Sequence, residues 1–166
     1  PSEDGESASV SVCQGDVRNT PVELQEIKYP VLIDKHAFRS DSGGAGRFRG
    51  GLGLEVSYRM LQACRANINC ERTVDPPWGL HGGGAGATNS AIVRRADGTE
   101  QVVLKGTEIP LATGDVVTFL TAGGGGYGEP KQRAAEAVKR DVAEGVISEE
   151  AATKLYGASV ARESAE

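Results

Sequence analysis

Several stretches between Tyr29 and Leu120 are apolar or alternate apolar with polar residues, a pattern with a period of two that predicts strands rather than helices. Leu54, Val56, Tyr58 and Met60 share one face of a predicted strand, and Glu55, Ser57 and Arg59 form a wet opposite face. Ala66 to Thr73, with Ile68 and Cys70 pointing the same way, is expected to be its partner. Upstream, Pro21 opens an extended stretch from Val22 to Phe38, in which Tyr29, Val31 and Ile33 share a face. Glu23 and Glu26 would share a face on a helical turn, but Pro21 and Pro30 are expected to leave little room for one. Ser90 to Arg95, the Asp97-Gly98 turn and Gln101 to Lys105 read as a hairpin. Leu111 to Gly114 then turns into a largely apolar strand, Asp115 to Leu120.

The period changes after Pro130, which suits the first position of a helix. Ala134, Val138 and Val142 recur every four residues, with Lys and Arg off that stripe, and Gly145 ends the helix. Ser148 is a good N-cap, and Glu149 and Glu150 suit the positive end of a second helix dipole. Ala152, Leu155 and Tyr156 form its apolar face, and Gly157 stops it. Strands followed by helices, without β-α-β alternation, predict an α+β fold that is mainly β, with glycine-rich loops and a C-terminal two-helix tail. The expected organisation is a mobile lead-in over residues 1–20, a β-rich domain over 21–128, a helical pair over 129–157 and a tail over 158–166.

Three glycine-rich segments interrupt the strands: SDSGGAGRFRGGLG at 40–53, PPWGLHGGGAGA at 76–87 and AGGGGYGEP at 122–130. Glycine supplies 23 of 166 residues, about twice the usual share of roughly 7%. No G-X-Y period is present, which excludes collagen, and no fixed period makes the segments a repeat. Each glycine would cost a helix ~1 kcal/mol against alanine, so these are loops with positive φ or close backbone approaches. Aromatics are only 5%, which leaves Val, Leu, Ile and Ala to build the core. A net charge of −5 and a pI near 5.2 argue against general binding to nucleic acid or anionic membranes. No apolar run approaches the ~18–20 residues of a membrane span. The first eleven residues lack a secretory pattern, and three cysteines form no framework, so a cytoplasmic location is expected. Pro1 is not an initiator, so the chain is expected to start after a processing event or a boundary.

Candidate chemistry is sparse. No Gly-Lys-Ser/Thr completes a phosphate loop, and Gly82-x-Gly84-x-x-Ala87 nears a dinucleotide fingerprint with no helix pattern after it. Arg47-Phe48-Arg49-Gly50-Gly51 is a single such string in an acidic chain, unlike repeated RNA-binding segments. Arg47 and Arg49 are therefore read as fixed in a loop by carboxylates, or as contacts to a partner subunit or an anionic group. Cys13, Cys64 and Cys70 with His36 or His81 contain enough zinc ligands, and Cys64 and Cys70 would converge if they lay on neighbouring strands. The Cys64-x5-Cys70 spacing does not fit the usual knuckle, so these are read as buried free thiols and no metal site is assigned. His81, in a glycine loop beside Trp78, is a better acid–base candidate than His36 at a strand end. Trp78 and His81 are the candidate substrate-side loop.

Several strings together carry a resemblance. Asn19-Thr20-Pro21-Val22-Glu23, Glu26, Tyr29-Pro30 and the run Asp41 to Gly53 come first. Pro76-Pro77-Trp78-Gly79-Leu80, Gly82-Gly83, Gly86 and Gly114-Asp115 follow, then Gly123 to Gly128, Pro130, Arg133, Asp141-Val142, Gly145, Ser148, Ala151 and Tyr156-Gly157. Over residues 17–157 the chain resembles the C-terminal third of the hydantoinase B/5-oxoprolinase family. That resemblance implies a component of an ATP-dependent enzyme that opens cyclic amides such as a hydantoin, 5-oxoproline or a lactam, by phosphorylating the amide oxygen ahead of attack by water. The alternative it implies is the small subunit of an ATP-dependent ketone carboxylase of the acetone or acetophenone type. ATP and a divalent metal would be bound by other subunits or segments of the holoenzyme. The implied partners are a hydantoinase A-like ATP-binding subunit and the remaining hydantoinase B-like segment. Family subunits are several times longer and carry their metal-binding residues in the N-terminal part, so the chain is expected to be a detached C-terminal piece or split subunit, inactive alone. No catalytic residue carries over, and the Ser42–Gly53 loop is expected to pack at a subunit boundary.

Overall fold

A computed structural model describes residues 1–9 and 20–157; Cys13 and the 158–166 tail lie outside them. Helix α1 (Val22–Lys28) leads into strands β1 (Val31–Phe38), β2 (Leu54–Met60), β3 (Cys64–Asn69), β4 (Ser90–Arg94), β5 (Glu100–Val102), β6 (Lys105–Leu111) and β7 (Val116–Leu120). A 3-10 turn (Pro130–Gln132) precedes α2 (Ala135–Ala143), and α3 (Glu149–Ala151) runs on into a π turn over Ala152–Tyr156. The result is the expected mainly β, α+β fold. Among the described residues no helix is long and apolar enough to cross a membrane.

Five strands form an antiparallel sheet in the order β1-β2-β7-β4-β5, and β3 and β6 form a separate two-stranded ribbon. The Asp97-Gly98 hairpin joins β4 to β5 as expected, with Gly98 at positive φ. Met60, Ile68, Ala91, Val93, Val103, Leu111 and Val117 bring sheet and ribbon residues into one buried cluster. A second cluster joins Val138, Ile147, Ala152 and Tyr156 of the C-terminal tail to Ala45 of the first glycine segment.

Three local expectations are corrected. The Cys64–Asn69 strand pairs with β6, not with β2. Both edges of β2 are taken by β1 and β7, and the bonds from Met60 N–H to Asp115 O and Leu61 N–H to Pro30 O continue that engagement past the strand end. The following chain therefore leaves the sheet. Second, the stretch after Pro21 is a helix as far as Lys28, not extended. Pro21 sits at the N-cap, where its missing N–H costs no helical bond, and Pro30 restricts only Tyr29, which is extended at φ −122° and ψ 149°. The two prolines thus frame a seven-residue helix instead of excluding one. Third, the helix expected from Pro130 is broken at Arg133 and Ala134, both extended, so Ala134 is a cap and not part of the buried stripe. Downstream, the Ser148 Oγ accepts from Ala151 N–H at 3.1 Å, and Gly145 and Gly157 end their helices at positive φ.

Ile68 ties the ribbon to the sheet. Ile68→Ala should cost ~2–5 kcal/mol of stability, measured by denaturant unfolding; a change within experimental error would show that the ribbon does not share the core.

Candidate functional site

The three glycine segments run side by side and bond to one another without forming a strand ladder. Gly44 N–H donates to Gly124 O at 2.8 Å, Gly84 N–H to Ala45 O at 2.7 Å and Gly126 N–H to Gly84 O at 2.9 Å, so each segment is bonded to both others. Phe48 and Tyr127 exchange a reciprocal pair at 3.0 and 2.9 Å. Side chains have no room at the contacts: a Cβ on Gly44 would overlap the Gly84 carbonyl oxygen, and one on Gly126 that of Ala45. Arg39 fastens the ends of the bundle, its Nη1 donating to Thr88 O at 2.9 Å and Thr121 O at 3.1 Å. The Gly44, Gly84 and Gly126 amides that a phosphate would need are therefore already donating to neighbouring carbonyls.

The bundle is clasped by charge. Arg133, only 3% exposed at its side chain, donates through Nη1 to Asp4 Oδ1 at 2.6 Å, through Nη2 to Asp4 Oδ2 at 2.8 Å and through Nη2 to Asp141 Oδ2 at 2.7 Å. Arg49 approaches the same Asp141 oxygen, with Nε at 3.6 Å from Oδ2 and Nη1 donating to Gly50 O at 2.7 Å. Its backbone N–H donates to Asp4 Oδ1 at 2.7 Å. The lead-in segment is thus bonded down at its start: Gly5 N–H donates to Arg49 O and Ala8 N–H to Leu52 O, both at 2.8 Å. Burial alone would raise the Asp4 carboxyl, but the bonds from Arg133 and the Arg49 amide outweigh it and hold it below the ordinary range. Burial would likewise lower Arg133, and its bond to Asp4 and the charges of Asp141 and Asp4 reverse that, so the guanidinium stays charged. Tyr156 packs beside them, its phenol pushed up by burial against the pull of Arg133 and the Gly46 amide. Two arginines facing two aspartates form a lock, not a group poised to move protons.

Arg49 is therefore taken up inside its own chain, while Arg47 remains exposed with its guanidinium 5.4 Å from the Phe48 ring centroid. The Ser42–Gly53 loop is covered by the chain's own glycine segments. Trp78 is 73% exposed. His81 is exposed too, at a positive φ of 52°, with its ring 4.8 Å from that of Tyr127. Their loop is held by the bundle through Leu80 N–H to Gly126 O and Gly86 N–H to Pro77 O, both 2.9 Å. Trp78 and His81 thus sit on one rigid, outward-facing turn, apart from the clasp.

Cys64 and Cys70 do not lie on neighbouring strands: Cys64 opens β3 and Cys70 follows its last residue. Cys64 Sγ is 3.5 Å from Met60 Sδ, and burial raises the Cys70 thiol. Among the described residues no group of three or more His, Cys, Asp or Glu is placed to hold a metal. Sequence reasoning missed the clasp. Arg133 and Asp141 were visible only as members of the family-like strings, and nothing near Asp4 marks it. Asp115 was likewise only half of a Gly-Asp string; it is buried and accepts from Arg95 at 2.8 Å, Ala112 N–H at 2.9 Å and Ala96 N–H at 3.1 Å. Burial raises its carboxyl and these bonds more than offset that, leaving it below the ordinary range.

Arg133→Ala leaves Asp141 buried beside a single arginine and should cost about 3–5 kcal/mol; Arg133→Lys should not restore it, because lysine lacks the fork. Denaturant unfolding of both variants checks this, and a loss under ~1 kcal/mol would reduce the clasp to a surface pair. Asp4 and Asp115 have lowered folded pKa values. Their contribution is therefore complete above the unfolded value of about 3.9 and lost as pH falls through the folded values. Wild type should destabilise progressively below about pH 4, and Asp115→Asn should fall less steeply there in a pH series of unfolding curves.

The hydantoinase B/oxoprolinase family model matches residues 1–130. An uncharacterised protein of Methanocaldococcus jannaschii, MJ0963, is 40% identical over 83% of this chain and 24% of its own length. Caprolactamase subunit beta of Pseudomonas jessenii is 34% identical over 87% of this chain and 26% of its own. Nucleotide-free acetone carboxylase, from work on ATP-dependent acetone carboxylation, shares the fold with a TM-score of 0.85 at 22% identity, over 98% of this chain and 26% of that one. The chain spans about a quarter of the length of these relatives. With a family match over residues 1–130 and a relative 40% identical over 83% of it, the chain belongs to the hydantoinase B/oxoprolinase family.

Proposed function

We propose that this chain is the C-terminal, site-completing part of a hydantoinase B-like component in an ATP-dependent enzyme that opens a cyclic amide: a hydantoin, 5-oxoproline or a lactam. The observation that carries the reading is the 34% identity to a caprolactamase subunit over 87% of the chain, a subunit named for a cyclic amide. In this reading the glycine bundle is the rigid platform. It presents the Trp78–His81 turn toward the substrate side, where a fixed ring and an imidazole serve positioning and proton transfer. Arg47 is the exposed contact to a partner or anionic group. ATP and a divalent metal are bound by other parts of the holoenzyme, a hydantoinase A-like subunit and the remaining hydantoinase B-like segment. A second reading, the small subunit of an ATP-dependent ketone carboxylase, draws on the fold shared with acetone carboxylase.

The native complex, co-purified through this chain and with its subunits identified by mass, should turn over ATP on adding a hydantoin, 5-oxoproline or caprolactam without bicarbonate. The isolated chain should do neither ATP hydrolysis nor ring opening. Turnover that needs bicarbonate and a ketone favours the carboxylase, and ATP turnover by the isolated chain sinks both readings. In that complex His81→Ala should slow ring opening at least about tenfold with assembly intact, and an unchanged rate would remove His81 from the substrate side.

A further inference from the structure

We propose that helix α1 is the seam at which this chain meets the remaining hydantoinase B-like polypeptide. The inference rests on the family reading above and adds a surface to it.

Helix α1 has seven residues and none of them is buried. A helix that short does not persist on its own propensity; isolated helices under about 12–15 residues are marginal, and packing must hold them. Its inner side is engaged with this chain. Glu26 Oε1 accepts from the β1 amide of Ile33 at 2.8 Å. Gln25, with Tyr29 just past the helix end, lines a cleft of about 250 Å³ whose other walls include Tyr58, Met60, Cys64 and Phe119. With successive residues about 100° apart around the helix, Leu24 and Ile27 come out on the side away from these contacts. They are 54% and 82% exposed. An apolar pair three residues apart, facing out from a helix that is half-covered at best on its other side, calls for a second wall.

The occupant follows from size. A stable dimer of two copies needs about 800 Å² from each partner, and a two-turn helix with one apolar pair offers only a fraction of that. The relatives, by contrast, carry this region as about a quarter of a longer polypeptide. A contact to the other three quarters adds to whatever already holds the parts together, so a small apolar seam is enough. Its chemistry is an aliphatic or aromatic surface that covers Leu24 and Ile27 and sends a side chain into the cleft.

Hydrogen exchange of the residue 25–29 amides in the native assembly, against the isolated chain, reads the seam directly. Protection should rise at least tenfold in the assembly. Ile27→Glu should return those amides to the isolated-chain rate, while leaving that rate unchanged when the variant is measured alone. Val102→Glu, at an equally apolar, 62% exposed position on β5, should not. Equal exchange in assembly and isolated chain overturns the proposal, as does protection of the isolated chain that grows with its own concentration, which would make a second copy the occupant. An assembly with no hydantoinase B-like polypeptide refutes the family reading as well; one that contains it but leaves α1 unprotected refutes only the seam.

Discussion

Backbone-to-backbone bonding among the three glycine segments is the constraint on which the rest of this structure depends. Each segment is bonded to both others, donating through Gly44 to Gly124, Gly84 to Ala45 and Gly126 to Gly84. A strand ladder places bonds in one plane and leaves both faces free for side chains. Here bonds leave in more than one direction, and the atoms that would be side chains are replaced by a neighbouring carbonyl. The glycines are needed for absence of bulk at these contacts more than for unusual φ: among the segment glycines only Gly82 and Gly128 lie at positive φ. Ordering such chains costs about 1–2 kcal/mol of backbone entropy per residue, and apolar side chains at these positions offer nothing to offset it. Satisfied amides and what surrounds the bundle must do so.

What surrounds it is the clasp. Asp4 from the chain start, Arg49 from the first glycine segment, and Arg133 and Asp141 from the C-terminal tail meet over the bundle. Buried charges are tolerated because each carboxylate faces an arginine and backbone amides or carbonyls take further bonds; the Nε atoms of Arg49 and Arg133, which make no hydrogen bond, are the exceptions. The break at Arg133 and Ala134 makes sense in this light, since it frees Arg133 from the helical geometry of α2 to reach Asp4 and Asp141 together. The clasp fastens three remote parts of the sequence, which a hydrophobic contact of similar size would do with less directional specificity.

A platform of this kind gives the loops it carries a fixed orientation. The Trp78–His81 turn takes its orientation from bonds of the bundle, and His81 is held at a backbone angle uncommon outside glycine. Loops set on rigid scaffolds are where binding and catalytic groups concentrate. The open face of the five-stranded sheet is different in character: its cleft of about 670 Å³ is lined by the ion pairs Asp34–Arg59, Lys35–Glu55 and Arg94–Glu100, with Ser57 bonded to Thr118. The wet face expected from the alternation in β2 is thus polar, with its central serine buried by neighbours.

Local periodicity determined the elements whose cause is local. The alternation of β2, the apolar run of β7, the Asp97-Gly98 hairpin, the Ser148 cap and the stops at Gly145 and Gly157 all follow from residues within a few positions of one another. The ordered family-like strings determined the family for the same reason, since they are linear. Tertiary structure decided the rest. Which strand fills the edges of β2 depends on β7, nearly sixty residues away, and so β3 is displaced to β6. Whether seven residues between two prolines form a helix depends on contacts outside them, such as the bond from the Ile33 amide of β1 to Glu26. Asp4 and Arg133 pair across 129 positions, and no periodicity reaches so far. The glycine segments show the division most sharply: composition alone required loops with close backbone approaches, but the partner of each approach is chosen only when all three segments are packed together.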